Sequence, residues 1–213
     1  MRSEKANVWP VVHAERARLV DDLERVPVDA WTTPSLCPGW DVHDVVAHLI
    51  DSATTSRLGF VRRMIAARFD FDKDNESGIR RCRRADPTDT LAALRAVIDL
   101  TSTPPAAPAT RLVEAFVHGE DIRRPLRIRA DHPPAAVARA LAYQASTSVR
   151  MGGGRERVDG LRLVASDTDV TLGSGVAVSG RAIDLLLAVS GRPVSATAVD
   201  GPGASLLRAG QNI

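Results

Sequence analysis

Aromatic residues are scarce in this chain: they occupy 4% of its 213 positions, so packing falls mainly to Ala, Val and Leu. Lysine occurs only at Lys5 and Lys73, and arginine carries almost all the positive charge. Together with abundant alanine, this bias suggests a GC-rich genome. The two cysteines, Cys37 and Cys82, lie far apart and form no CxxC pair, which argues against a disulfide framework and a cysteine-rich zinc site. Free thiols in a reducing compartment fit that usage. No stretch approaches the ~18 apolar residues of a spanning helix, and the opening MRSEKANVWP lacks an apolar segment of signal-peptide length. A cytoplasmic protein with no membrane partner is therefore expected. Long blocks of one charge are also missing. The net charge is +2 with acids and bases interspersed, and the one dense run, IRRCRR around Arg80 to Arg84, has no interleaved aromatics. Nucleic acid is not an expected partner.

What is present resembles an ordinary globular protein, 44% hydrophobic and 25% charged. Apolar residues recur at helical spacing from about Asn7 to Arg25, through Val8, Val11, Val12, Leu19 and Leu23. Pro27 ends that helix. The segment WTTPSLCPGW, from Trp31 to Trp40, has too many Pro and Gly for a regular element and reads as an ordered loop. Asp41 is a plausible N-cap for a long helix running to about Arg68 through Val42, Val45, Val46, Leu49 and Ile50. The charged stretch from Asp70 to Asp86 reads as a surface connection or frayed helix. A third helix starts near Pro87, a fourth spans about Thr110 to Arg124, and a fifth follows Pro133 and Pro134 and ends at Met151, before three glycines.

Beyond Gly154 the composition changes to short β-type runs from Leu161, Asp169 and Val176. The helix RAIDLLLAVSG follows, and one or two further strands are expected between Pro193 and Leu207. The expected fold class is α+β: a helical domain over residues 1–154 and a small α/β domain over 155–213, with a flexible boundary at the glycines.

Chemistry concentrates on the fourth helix. Glu114 and His118 are four residues apart and share one face, and Asp121 lies one turn further along it. Leu112, Val113, Phe116, Val117 and Ile122 bury the other sides, so this polar seam must find partners. A divalent cation is one solution, with a third ligand from another helix and one open position. His48 and His43 both flank the apolar stripe of the second helix, and periodicity does not choose between them. Two imidazoles and a carboxylate suit zinc, with nickel, iron and manganese also compatible. Cys37 reads as a packed loop thiol, and Trp31 and Trp40 as residues fixing the loop against the bundle.

The segment WTTPSLCPGWDVHDVVAHL, from Trp31 to Leu49, resembles the amino-terminal signature of the mycothiol-dependent maleylpyruvate isomerase family. EAFVHGEDIRRPL, from Glu114, resembles that family's Glu-x-x-x-His-x-x-Asp helix, and SGRAIDLLLAVSGRP resembles its sterol-carrier-like appendage. The resemblance implies a DinB-like up-down four-helix bundle and selects His48 over His43, giving His48, Glu114 and His118 as metal ligands. Asp121 falls on a recurrent acid that orients a ligand or a neighbouring Arg. It also implies mycothiol as a thiol co-substrate, acting on a small electrophile by cis-trans isomerisation or S-transfer. A dianionic substrate would need cationic anchors, for which Arg181, Arg192 and Arg208 are candidates. One departure from the family is the short stretch between His48 and Glu114. The competing reading is a non-catalytic metal- or small-ligand-binding protein of the same fold. Either a monomer or a homodimer is compatible with the sequence.

Overall fold

The computed structural model describes residues 7–210. It divides into two compact units, the first ending at Arg129 and the second beginning at Ala130.

The first unit contains six α-helices: α1 (Trp9–Leu23), α2 (Val42–Thr54), α3 (Arg57–Ala66), α4 (Phe71–Cys82), α5 (Pro87–Ala96) and α6 (Ala109–Arg123). Helices α1, α6, α2 and α5 pack in that cyclic order, each against the next, and so close a four-helix bundle. Its core gathers Leu19 and Leu23 from α1, Val45 and Leu49 from α2, Leu94 from α5 and Ile122 from α6, with Trp31 from the intervening loop. Each such side chain stabilises the fold by roughly 1.5–3 kcal/mol through removal from water.

The long second helix expected to Arg68 is broken in two. Thr54 and Thr55 turn their hydroxyls back onto the carbonyls of Ile50 and Asp51, Thr55 becomes extended, and the Ser56 hydroxyl accepts the Gly59 N–H to start α3. The charged stretch after Asp70 forms a regular helix, α4, capped by the Asp70 carboxylate on Lys73 N–H. Its inward face lacks an apolar stripe, with Ile79 as its buried aliphatic beside Asp74 and Gly78. Arg63 bridges Asp51 of α2 and Asp74 of α4 at 2.8 Å each, and Arg81 reaches Asp51 at 2.8 Å. The Gly78 backbone lies so close that a Cβ there would stand 2.4 Å from an Asp51 carboxylate oxygen.

The second unit holds α7 (Pro134–Ser146), β1 (Leu161–Ala165), β2 (Thr171–Gly173), β3 (Val176–Gly180), α8 (Ala182–Val189), β4 (Val199–Asp200) and α9 (Ala204–Ala209). The sheet order is β2-β1-β3-β4, with β1 parallel to β3 and the outer pairs antiparallel. Helix α8 packs on β1, β3 and α7. The compact units thus meet earlier than residue 154, because α7 buries Val137, Ala138 and Leu141 in the unit that contains α8. The glycine run is closely packed: the N–H groups of Gly153 and Gly154 donate to Ser148 and Gln144, and a Cβ on Gly154 would stand 2.1 Å from the Val189 carbonyl. Helix α7 stops at Ser146, and Val149–Met151 form a separate 3₁₀ turn. The tail supplies the short strand β4 and, unforeseen in the sequence, helix α9. Among the described residues, no helix is long and apolar enough to cross a membrane.

Candidate metal centre

Helix α2 begins in a capping box: the Asp41 carboxylate accepts Asp44 N–H, Asp44 returns the bond to Asp41 N–H, and Arg83 clamps both acids at 2.7 Å. That start fixes the helix phase. With Val42, Val45, Val46 and Leu49 turned into the core, His48 and Ser52, four residues apart, share another face. Glu114 and His118 have the same spacing on α6. The two helices run antiparallel, so His118 meets His48 and Glu114 meets Ser52.

The His48 and His118 rings lie 4.9 Å apart, edge to face at 75°. Trp40 covers both, 5.1 Å from His48 and 6.5 Å from His118 between ring centres. Its loop is tied to α6, because Leu36 N–H donates to the Asp121 carbonyl at 3.1 Å. Trp40 therefore does more than pack, whereas Trp31 lies in the core as expected. Cys37 is half-buried and packs against the core.

Asp121, fully buried, lies 2.9 Å from His118 Nδ1. A carboxylate can only accept, so Nδ1 carries the proton and the Nε2 lone pair is left for a Lewis acid. Burial, and secondarily the neighbouring His118, lower the His48 pKa to about 4, against the opposing pull of Glu114 and Asp51. His48 is therefore neutral at ordinary pH, and its Nδ1 is buried without a hydrogen-bond partner. Burial alone would raise the Glu114 pKa, but Arg111, the two imidazoles and the Ser52 hydroxyl outweigh it and hold the carboxyl below its usual range. Arg111 Nη1 stands 2.9 Å from Glu114 Oε2 and 2.6 Å from Ser52 Oγ, and Ser52 donates to the same Oε2. Among the described residues, no three His, Cys, Asp or Glu side chains are already arranged to hold a metal ion. The Arg111 ion pair gives a physical reason, since a guanidinium claims the carboxylate that would be the third ligand.

His43 faces elsewhere. It is buried, with Nε2 2.7 Å from Thr90 Oγ1 of α5 and its ring edge-on to Trp31 at 5.3 Å. Arg181 and Arg192 belong to the second unit. Arg181 lies 3.7 Å from Asp167 at the start of α8, and Arg192 donates to the Ser190 carbonyl at 3.3 Å. Arg208, on α9, has a buried Nη1. Ser52 and Arg111 were missed in the sequence, where the signal was their spacing alone: Ser52 four residues after His48, Arg111 three before Glu114.

Residues 12–105 match the family model of the mycothiol maleylpyruvate isomerase N-terminal domain. The match covers most of the helical unit and less than half of the chain. The matched segment includes Trp40 and His48 and ends before α6. Two solved structures share the fold: the mycothiol-dependent maleylpyruvate isomerase and its histidine-to-alanine variant. Each has a TM-score of 0.60 and 14% identity, with 92% of both chains covered. The α+β, DinB-like architecture thus extends over nearly the whole chain. No curated protein sequence matches it.

The neutrality of His48 has a consequence for stability in chelator-treated protein. Its folded pKa, about 4, lies below the ordinary 6.5, so the unfolded chain takes up the proton first. The contribution is complete above pH 6.5 and lost as pH falls toward 4, roughly 3 kcal/mol over that window. Urea midpoints for wild type and His48→Gln are therefore expected to converge on acidification. Parallel curves would contradict the assignment.

Proposed function

We propose that the helical unit holds a divalent cation through His48, His118 and Glu114 and uses it to activate a low-molecular-weight thiol. The observation that carries this reading is the pairing of two imidazoles at 4.9 Å, with His48 Nδ1 buried and unpartnered and His118 oriented by Asp121. The donor set fits zinc best. Both hydrogen-bonding contacts of Glu114 fall on Oε2, which is consistent with the carboxylate reaching a cation through its other oxygen. When bound, such a cation supplies the Lewis acidity that brings a thiol to its thiolate form near neutral pH.

The chain's own residues do the rest. Asp121 keeps the proton on His118 Nδ1, Trp40 shields the imidazoles from water, and Ser52 and Arg111 hold the Glu114 carboxylate. The family and the structural neighbours support mycothiol as the thiol and a maleylpyruvate-like acid as the class of electrophile. In an isomerisation the thiolate sulfur adds to the electron-poor double bond and the electron pair moves onto the conjugated carbonyl. Rotation about the new single bond follows, and expulsion of the sulfur restores the alkene. In an S-transfer, the carbon–sulfur bond remains and the enolate carbon takes up the proton that the thiol released.

A second reading, a non-catalytic metal- or small-ligand-binding protein, draws on the Arg111–Glu114 pair, which can satisfy the carboxylate without a metal. Thiol titration of zinc-loaded protein separates the two. Mycothiol is expected to bind wild type and to lose at least about a hundredfold in affinity in His48→Ala and His118→Ala. Zinc uptake with no thiol binding would favour the second reading.

A further inference from the structure

Half of the large hydrophobic side chains exposed among the described residues fall within residues 58–71: Leu58 at 69%, Val61 at 43%, Ile65 at 61%, Phe69 at 72% and Phe71 at 39%. Leu58, Val61 and Ile65 recur at three and four residues and so share one face of α3, while the helix buries only Met64. An amphipathic helix of a globular protein ordinarily does the reverse. The turn that ends α3 is also unusual: Arg68 and Phe69 both take left-handed φ, 56° and 62°, which large side chains rarely adopt. That turn leaves Phe69 the most exposed of the set. Backbone strain of this kind persists where an interaction makes use of it.

The charge around the stripe is divided by sign. Residues 57–69 include Arg57, Arg62, Arg63 and Arg68 and no acid, and only Arg63 is drawn inward, to Asp51 and Asp74. Immediately after come the exposed Asp70 and Asp72, followed by Lys73 and by Glu76, which pairs with Arg80. A two-fold axis through the middle of the stripe lays α3 antiparallel against a second α3. It brings Leu58 of each copy opposite Phe69 of the other, and Arg57 opposite the other copy's Asp70 and Asp72. This is the self-complementarity an isologous interface requires. An anionic membrane is a poorer fit, because those same acids would face its headgroups.

We propose that the exposed face of α3, with Phe69 and Phe71, is the contact surface of a homodimer in which Arg57 pairs across the two-fold with Asp70 and Asp72 of the second copy. Sedimentation equilibrium of the full chain over the micromolar range tests it, with reversible dimerisation as the expected result. Ile65→Glu, at an exposed position, is expected to raise the dimer dissociation constant at least about tenfold without moving the thermal midpoint measured at concentrations where wild type is monomeric. Arg57→Asp weakens the dimer, and Asp72→Arg added to it restores affinity, while the Asp70 cap of α4 stays intact. A chain monomeric at every concentration, or a dimer indifferent to Ile65→Glu, overturns the surface. A double variant no tighter than Arg57→Asp alone overturns the proposed pairing. Ile65-dependent binding to phosphatidylserine vesicles by a monomeric chain overturns the choice of partner.

Discussion

Replacing Asp121 with asparagine is expected to weaken divalent-metal binding by about ten- to a hundredfold while leaving the fold intact. Asp121 is fully buried and lies 2.9 Å from His118 Nδ1. Its carboxylate forces the Nδ1–H tautomer and raises the basicity of Nε2. An asparagine of the same shape can present its amide N–H to Nδ1, which moves the ring proton to Nε2 and removes the lone pair a cation needs. Competition against a chromophoric chelator measures the change, and the urea midpoint reports the fold. Unchanged affinity would mean that His118 is not a ligand, or is not set by Asp121.

A second large effect is structural. Arg123 has no exposed side-chain surface, and it donates from Nη1 to Glu15 Oε1 at 2.5 Å and from Nε to Asp22 Oδ2 at 2.7 Å. These bonds tie α6 to α1 on the far side of the bundle from α2. Arg123→Met takes one of two arginines from Glu15, itself 2% exposed, leaving its other oxygen paired with Arg18 at 2.6 Å, and takes a bond from Asp22; it is expected to cost about 2–3 kcal/mol. Adding Glu15→Leu removes the buried carboxylate that has lost one of its bonds and should recover part of the loss, since a buried pair exchanged for apolar groups is often neutral. Urea denaturation of the single and double variants checks both. A single variant within about 1 kcal/mol of wild type would show that Arg18 alone satisfies Glu15.

The parts of the fold legible in the sequence were those whose buried faces are apolar. Leu19 and Leu23 of α1 and Val45 and Leu49 of α2 declare a helical period, and both lie in the core. Helix α4 was obscure because its inward face has one buried aliphatic, Ile79, beside Asp74 and Gly78, and is held by the arginine that bridges Asp74 to Asp51. Hydropathy cannot register a face stabilised by ion pairs. The break between α2 and α3 depends on whether Thr55 and Ser56 turn their hydroxyls onto the backbone, an option those residues have in either conformation. Helix α7 was legible as a helix. Its place in the second unit was not, because local periodicity shows that a face is buried without naming what buries it.

The candidate site divides in the same way. Glu114 and His118 stand out because their i, i+4 spacing places them on one face, whereas nothing local separates His43 from His48. That choice is made in three dimensions, where His43 meets Thr90 and Trp31, and His48 meets His118 and Trp40. Ser52 and Arg111 are ordinary polar residues in a chain rich in arginine, and their role appears only when α2 and α6 are laid side by side. The Arg111 ion pair bears on the chemistry as well, because a cation at Glu114 must share the carboxylate with a buried guanidinium.

Isothermal titration of zinc into chelator-treated protein tests the central claim most directly, with wild type compared against His48→Ala, His118→Ala and Glu114→Ala. One equivalent bound by wild type, and binding lost or greatly weakened in each variant, is the predicted result. Wild type that takes up no zinc, or variants that bind it as tightly as wild type, would contradict the account.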